Sequence, residues 1–274
     1  MNNISLFCLT LDPSHEKIIE RIRLIPVGLG NKKFSKECLN DKKGLNIAEK
    51  NSNYGEYTFH YWIWKNYLDQ IKTKWVGFCQ YRKFFLNQKI INKDIEFQSF
   101  SNLLIRNIDQ SDNINFDCIL GEKLSVNKYK FSKIYKNYLS TFLLNPSLFF
   151  KKEKRNLKLH FDLYHGKGNL ELAINLLDEK NKKDFSKYMN DNLSFHPQNM
   201  FICRTEILKS YYDVIFPWLL KCEKIFSSKD LEGYGLKRIY GFLAERFLSY
   251  WFTKNFKVEE HQIFGKDLSD YKYL

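Results

Sequence analysis

The chain has 274 residues, 44% of them hydrophobic and 27% charged, with 44 Lys and Arg against 31 Asp and Glu for a net charge of +13. That length suits one large α/β domain and a core that needs no disulfide staples, and the composition excludes a disordered chain. No run approaches the roughly 20 apolar residues of a membrane span, and the apolar ISLFCLTL near the start lacks a basic flank and a cleavage site. A soluble, cytoplasmic protein is expected.

The positive balance fits three partners: nucleic acid, an anionic membrane surface, or a phosphate-bearing substrate. It fits equally a Lys- and Asn-rich composition that serves no ligand. Cysteines stand at 8, 38, 79, 118, 203 and 222, with no C-x-x-C pair and no His at metal-ligand spacing. Most lie in apolar runs, where Cys acts as a small hydrophobe. Reduced thiols are therefore expected, and neither a disulfide framework nor a zinc site.

In chain order, NISLFCLTLD reads as a buried first strand, stopped by Asp12-Pro13-Ser14. RLIPVGLGN is a short strand closed by a glycine turn, and residues 40–51 are loop-like. From Tyr54 to Ile71, Tyr57, Tyr61, Trp64 and Leu68 recur at helical spacing, which predicts one amphipathic helix with Trp62 and Trp64 on different sides. KWVGFCQYRKFF reads as a strand, NFDCIL as another, and about 125–195 as a basic helical insert. NMFICR is a strand. The helix TEILKSYYDVIFPWLLKCEKIF is predicted to kink or restart at Pro217, and LKRIYGFLAERFLSYWFTKN follows as a second long helix. FKVEEHQIFG closes the chain as an edge strand. This order predicts an α/β fold with a mostly parallel sheet, in one domain over 1–274.

Ligands of open α/β sheets bind beyond the carboxyl ends of the strands. NIAEKN, QYRK and PQN place polar residues there: Lys50, Arg82 and Lys83 as cations, Asn46, Asn51 and Asn199 as amides. Such a set suits a phosphate or diphosphate, though Lys50 or Lys83 taken alone reads as a solvated surface group, and Arg82, directly after a buried strand and a Tyr, reads either way. There is no P-loop, no strand followed by G-x-G-x-x-G, and no H-E-x-x-H. His160 and His165 are out of helical phase for a shared metal, and His196 beside Pro197 reads as a turn cap or a catalytic group. Glu245 lies in an apolar helix, where a carboxylate needs a partner such as Arg82 or Arg246, or a task such as general-base catalysis.

The stretch NIAEKNSNYGEYTFHYWIWKN, followed by VGFCQYRKFF, resembles the bacterial capsular-polysaccharide glycosyltransferases long catalogued as a domain of unknown function. Their hallmarks are N-I-S-E-K-N, Y-W-x-W-K-N and H-Y-R-R-Y-F. Asn46, Ile47, Glu49, Lys50, Asn51, Glu56, Thr58, Tyr61, Trp62, Trp64, Lys65, Asn66, Gly77, Cys79, Tyr81, Arg82 and Phe85 carry the match. PVG at 26–28, FDLYHGKGNLELAI, HPQNMFICR and YGFLAERFLSYWF extend it over most of the chain. Gln80 stands where the family has His, Lys83 where it has a second Arg, and Asn169 where it has Asp.

The resemblance implies a GT-A-like fold with a nucleotide-sugar-binding sheet, a helical insert and C-terminal helices. It implies sugar transfer from a nucleotide-diphosphate donor, such as UDP-galactofuranose, to a capsular or lipopolysaccharide glycan, some of them lipid-linked. In these terms Glu245 and Arg82 are expected in catalysis, and Gly28, Asn46, Lys50, Asn51, Gln80, Tyr81 and Lys83 at the donor. His165, His196, Asn199 and Arg246 are expected at the acceptor. Many GT-A enzymes hold a metal on a D-x-D strand end; here the comparable end is Q-Y-R-K. Cations are thus expected in place of a required metal, with Mn or Mg as the alternative. A basic nucleic-acid-binding protein and a non-catalytic glycan-binding assembly module are the competing readings, the former without any RNA-binding or helix-turn-helix fingerprint. Peripheral contact with the inner membrane is compatible with the charge.

Overall fold

In the computed structural model, which describes residues 3–91, 94–108, 114–128, 139–229 and 231–272, the apolar runs of the sequence become strands buried on both faces. The strands are β1 (Ile4–Thr10), β2 (Ile25–Gly28), β3 (Leu39–Asn40), β4 (Trp75–Gln80), β5 (Lys83–Phe85), β6 (Cys118–Gly121), β7 (Leu124–Ser125), β8 (Ser194–Phe195), β9 (Phe201–Arg204), β10 (Val258–His261) and β11 (Ile263–Gly265). Among the described residues nine of them form one sheet, in the order β10-β6-β9-β4-β1-β2-β3, with β5 pairing at the end of the interior strand β4 and β11 pairing β5.

Successive side chains of a strand point to opposite faces, and here each face has its own core. Phe7, Leu9, Val76, Phe78, Phe201 and Cys203 enter one cluster, while Leu6, Cys8, Trp75, Cys79 and Ile202 enter the other. Full burial of each large side chain contributes about 1.5–3 kcal/mol, so β4, with Trp75, Val76, Phe78 and Cys79 all at most 1% exposed, is anchored from both sides. All six cysteines are buried and unpaired.

The sheet is mixed, not mostly parallel. β1 lies parallel to β2 and β4, but β9 runs antiparallel to both β4 and β6. A doubly buried apolar run carries no mark of its direction, so the sequence pattern could not show this.

The helices are α1 (Glu16–Arg21), α2 (Asn51–Tyr54), α3 (Tyr57–Trp62), α4 (Phe97–Leu103), α5 (Leu139–Leu144), α6 (Ser147–Phe150), α7 (Leu157–His165), α8 (Asn169–Ile174), α9 (Glu179–Asp191), α10 (Thr205–Phe226), α11 (Tyr234–Lys237) and α12 (Ile239–Asn255). The helix expected over 54–71 is broken. Gly55, at φ 60°, separates α2 from α3, and Ile63–Tyr67 widens into a π turn before a 3₁₀ turn at Leu68–Gln70. Tyr57, Phe59, His60, Trp62 and Ile63 are all buried, so no single stripe faces the core. Trp62 stacks on Phe59 and Tyr67, whereas Trp64 stacks on Phe216.

Helix α10 runs through Pro217 without the predicted restart. Pro217 and Asp213, whose carbonyl loses its donor, both lie on the exposed side of the helix, so that carbonyl is not buried without a partner. The insert is helical from α5 to α9, and the antiparallel pair β7–β8 clasps its two ends. Its residues 129–138 lie outside the described residues. No helix among the described residues is long and apolar enough to cross a membrane.

Candidate active site

β4 does not simply stop at its charged end. A two-residue turn at Tyr81-Arg82 sends the chain back as β5, which pairs antiparallel through Gln80 and Lys83. Phe84 and Phe85 are buried beyond the turn, and that apolar pair is why the sequence reads as one strand. The turn is fixed by its backbone: Tyr81 N–H donates to Leu9 O (3.0 Å), while Lys266 and Leu268 N–H donate to Arg82 O and Tyr81 O (both 3.1 Å).

The three side chains then diverge. Tyr81 packs on His15 with ring centroids 5.0 Å apart. Arg82 lies over the Tyr81 ring and pairs with Asp267 at 2.7 Å, with 60% of its side chain exposed. Lys83 turns inward and donates to Gln198 Oε1. Burial lowers the pKa of its ammonium, against the attraction of Glu245 and Glu56.

Because β9 is antiparallel to β4, the residues that lead into it sit at the carboxyl end of β4. Gln198 and Asn199 take positive φ there (84° and 52°). Gln198 joins three partners: its N–H donates to Glu245 Oε1 (2.5 Å), its carbonyl accepts from Gln80 Nε2 (3.2 Å), and its side-chain oxygen accepts from Lys83. Asn199 Nδ2 donates to Glu56 Oε1 (2.8 Å) and to Gly241 O (3.1 Å). Glu56 also meets Arg238 at 3.4 Å, and burial raises its carboxyl pKa. Gly55 makes room for that guanidinium, since a Cβ there would sit 2.1 Å from Arg238 Nη2.

Two adjoining cavities of about 280 and 140 Å³ result, both walled by Glu56, Gln80, Lys83, Tyr234 and Arg238. Arg82, Tyr81 and Asn51 line the first, and Asn199 and Glu245 the second. The expected ion pair of Glu245 is made with buried Arg246, not with Arg82. Arg246 and His165 line a neighbouring groove on the other side of Glu245.

Four expected site residues are not brought to the cleft. Lys50 is bound to Glu223 at 2.8 Å. Asn46 bridges its own loop, donating to Lys42 O and Gly44 O and accepting from Ala48 N–H. Gly28 is covered by the Phe34 ring, which a Cβ would strike at 2.4 Å. His196 is buried, with Nδ1 on Gly121 O at 2.6 Å. Conversely, Glu56, Gln198, Tyr234 and Arg238 are cleft residues that sequence reasoning missed. The signals available were PQN at a strand end for Gln198 and the family match for Glu56.

The donor set does not fit a divalent cation. Glu56 and Glu245 are each already held by an amide and a guanidinium, and the strand end supplies Arg and Lys. No group of three His, Cys, Asp or Glu gathers among the described residues.

The mixed sheet is that of the GT-A-like fold. The apo structure of WbbM, a bifunctional glycosyltransferase, superposes with a TM-score of 0.71 at 22% identity, over 97% of this chain and 45% of WbbM. The chain thus spans less than half the length of that structure. The Mn/GDP form of core-mannan synthase A from Aspergillus fumigatus matches at 14% identity over 95% of this chain and 73% of its own, with a TM-score of 0.35 that stops short of a shared fold. No curated protein matches. The model of a domain of unknown function, DUF4422, matches residues 14–256, and the chain belongs to that family.

Proposed function

We propose that the chain is a glycosyltransferase, a single catalytic domain that moves a sugar from a nucleotide-diphosphate donor to a capsular or lipopolysaccharide glycan. The observation that carries the reading is Gln198, which ties an inward lysine, a strand-end amide and a carboxylate into one constellation. The fold shared with a bifunctional glycosyltransferase supports it. The family resemblance points to a UDP-furanose such as UDP-galactofuranose as donor.

In this reading the donor diphosphate lies in the cleft against Lys83, Arg82 and Arg238, with Gln80, Tyr81 and Asn51 around it. Glu245 takes the proton of an acceptor hydroxyl. The freed oxygen bonds to the anomeric carbon as the bond from that carbon to the diphosphate oxygen breaks. The nucleoside diphosphate leaves with the electron pair, its charge met by the cations. His165, Asn199 and Arg246 stand on the acceptor side, and His196 supports the loop behind them. No metal is required.

The reading places the protein in the cytoplasm, peripherally at the inner membrane face. Exposed Leu143, Leu144 and Phe150 adjoin Lys151, Lys152 and Lys154, a pairing of apolar and basic groups that suits anionic lipid. Nucleic acid is not a partner. The test is transfer from a panel of nucleotide sugars in excess EDTA, preceded by a thermal-shift screen for the base, since bound ligand raises the melting temperature. Full activity in EDTA is expected. Loss of activity with rescue by manganese overturns the metal-free reading, and a sugar bound but never transferred favours the assembly module.

A further inference from the structure

Glu245 borders two spaces. On one side lies the cavity that contains Lys83, and on the other a groove of about 310 Å³ that no cation of the cleft reaches. Gln198 and Tyr234 line both. Phe242 is shared as well, and beside His160, His165 and Arg246 the groove adds Leu124, Tyr164, Phe195 and Pro197, which the cleft lacks.

Its aromatic rings are locked together. Phe242 stacks on His165 with centroids 4.1 Å apart, and Tyr234 meets Phe242 edge-on at 5.8 Å. His165 Nδ1 is fixed by donation to Gly235 O at 3.0 Å. The Arg246 guanidinium lies over Phe195, 3.5 Å from its centroid, and donates to His160 Nδ1 at 3.3 Å. Arg246 is 2% exposed and its Nε has no hydrogen-bond partner. Yet the mouth stays open, with Leu124 49% and Tyr234 70% exposed.

We propose that this groove seats an uncharged sugar ring of the acceptor, its C–H face on the Phe242–Tyr234–Tyr164 surface and one hydroxyl directed at Glu245. This rests on the glycosyltransferase reading above. A ring with an apolar face and a polar rim matches an aromatic surface beside a few convergent polar groups. Charge selects against an anionic sugar: the Glu245–Arg246 pair is neutral as a whole, and burial holds His160 and His165 down at about 3, so neither offers a cation at neutral pH. A uronic acid or sugar phosphate would be desolvated in the groove with no free cation among its lining residues.

The probes are methyl β-D-galactopyranoside, methyl β-D-glucopyranoside and methyl β-D-mannopyranoside against methyl β-D-glucuronide, read by saturation-transfer NMR on the full chain with and without UDP. At least one neutral glycoside is expected to receive saturation on its ring protons, and the glucuronide none. Phe242→Ala should weaken that binding about two- to tenfold, the value of an aromatic contact. Leu124→Trp, at an exposed position that tolerates bulk, should block the groove, while Lys187→Ala on distant α9 changes nothing. Preferred binding of the glucuronide overturns the proposal, as does absence of all binding or equal binding by the two groove variants. The outcomes separate from those of the enzyme reading. UDP binding without any glycoside sinks the groove alone, and glycoside binding without any nucleotide or transfer sinks the enzyme.

Discussion

Lys83 in the cleft and Lys187 on α9 each bond to a side-chain oxygen one partner away, yet the two regions use charge in opposite ways. Lys187 reaches Asp191 one helical turn on, with 77% of its side chain in solvent. Lys158 meets Glu171 at 2.9 Å nearby, and Lys254 meets Asp184. Such pairs are screened and locally neutral. In the cleft, Lys83, Glu56, Glu245 and Arg238 are drawn out of water toward one another, so a change in one is felt by the rest. A net charge of +13 says little about a ligand; where charges converge under burial says more.

The largest break in that contrast is expected at Glu245. Glu245→Gln should lower turnover by about 10²–10⁴-fold. It also strips the carboxylate from buried Arg246, a loss of about 3–5 kcal/mol in urea unfolding. The double variant Glu245→Gln/Arg246→Gln should recover much of the stability and none of the turnover. Recovery of transfer in the double variant removes Glu245 from the chemistry.

Next comes acid. Burial holds His60, His160 and His165 at about 3, below the roughly 6.5 of an unfolded histidine. The unfolded chain therefore takes up protons first, and stability falls as pH drops from about 6.5 toward 3, by up to about 4 kcal/mol per pH unit when all three contribute. Melting temperature against pH in His160→Gln should fall less steeply than in the wild type. An unchanged slope places His160 in water.

Lys83→Ala should reduce kcat about 10²-fold, as loss of one preorganised stabilising donor does, with a lesser change in acceptor KM. The smallest effect belongs to the insert: Lys187→Ala should leave both the melting temperature and transfer essentially unchanged, since an exposed pair is screened. If the two lysine variants behave alike, the distinction between the regions fails.

Much of this architecture was legible in the sequence, because period and composition carry it. The runs around Ile4, Val76, Cys118 and Phe201 announced strands, and the last two long helices announced themselves by length. What stayed hidden depends on partners far along the chain. Lys50 looks free until Glu223 arrives 173 positions later. The hairpin after Gln80 was masked by the apolarity of Phe84 and Phe85. The approach of Arg238 to Glu56 passes Gly55, where a side chain would crowd the guanidinium. PQN could be set at a strand end from its letters, but the antiparallel course of β9, which carries Gln198 and Asn199 to the carboxyl end of β4, could not be read there.

Gln198 has a consequence for how such a chain would change under selection. A left-handed backbone costs a residue with a Cβ about 1–2 kcal/mol, and Gln198 holds φ at 84°. Glycine would relax that loop and remove the oxygen to which Lys83 donates. A library screened for heat resistance alone should enrich Gln198→Gly, and one screened for turnover should discard it. One position would thus record which pressure the protein had lived under.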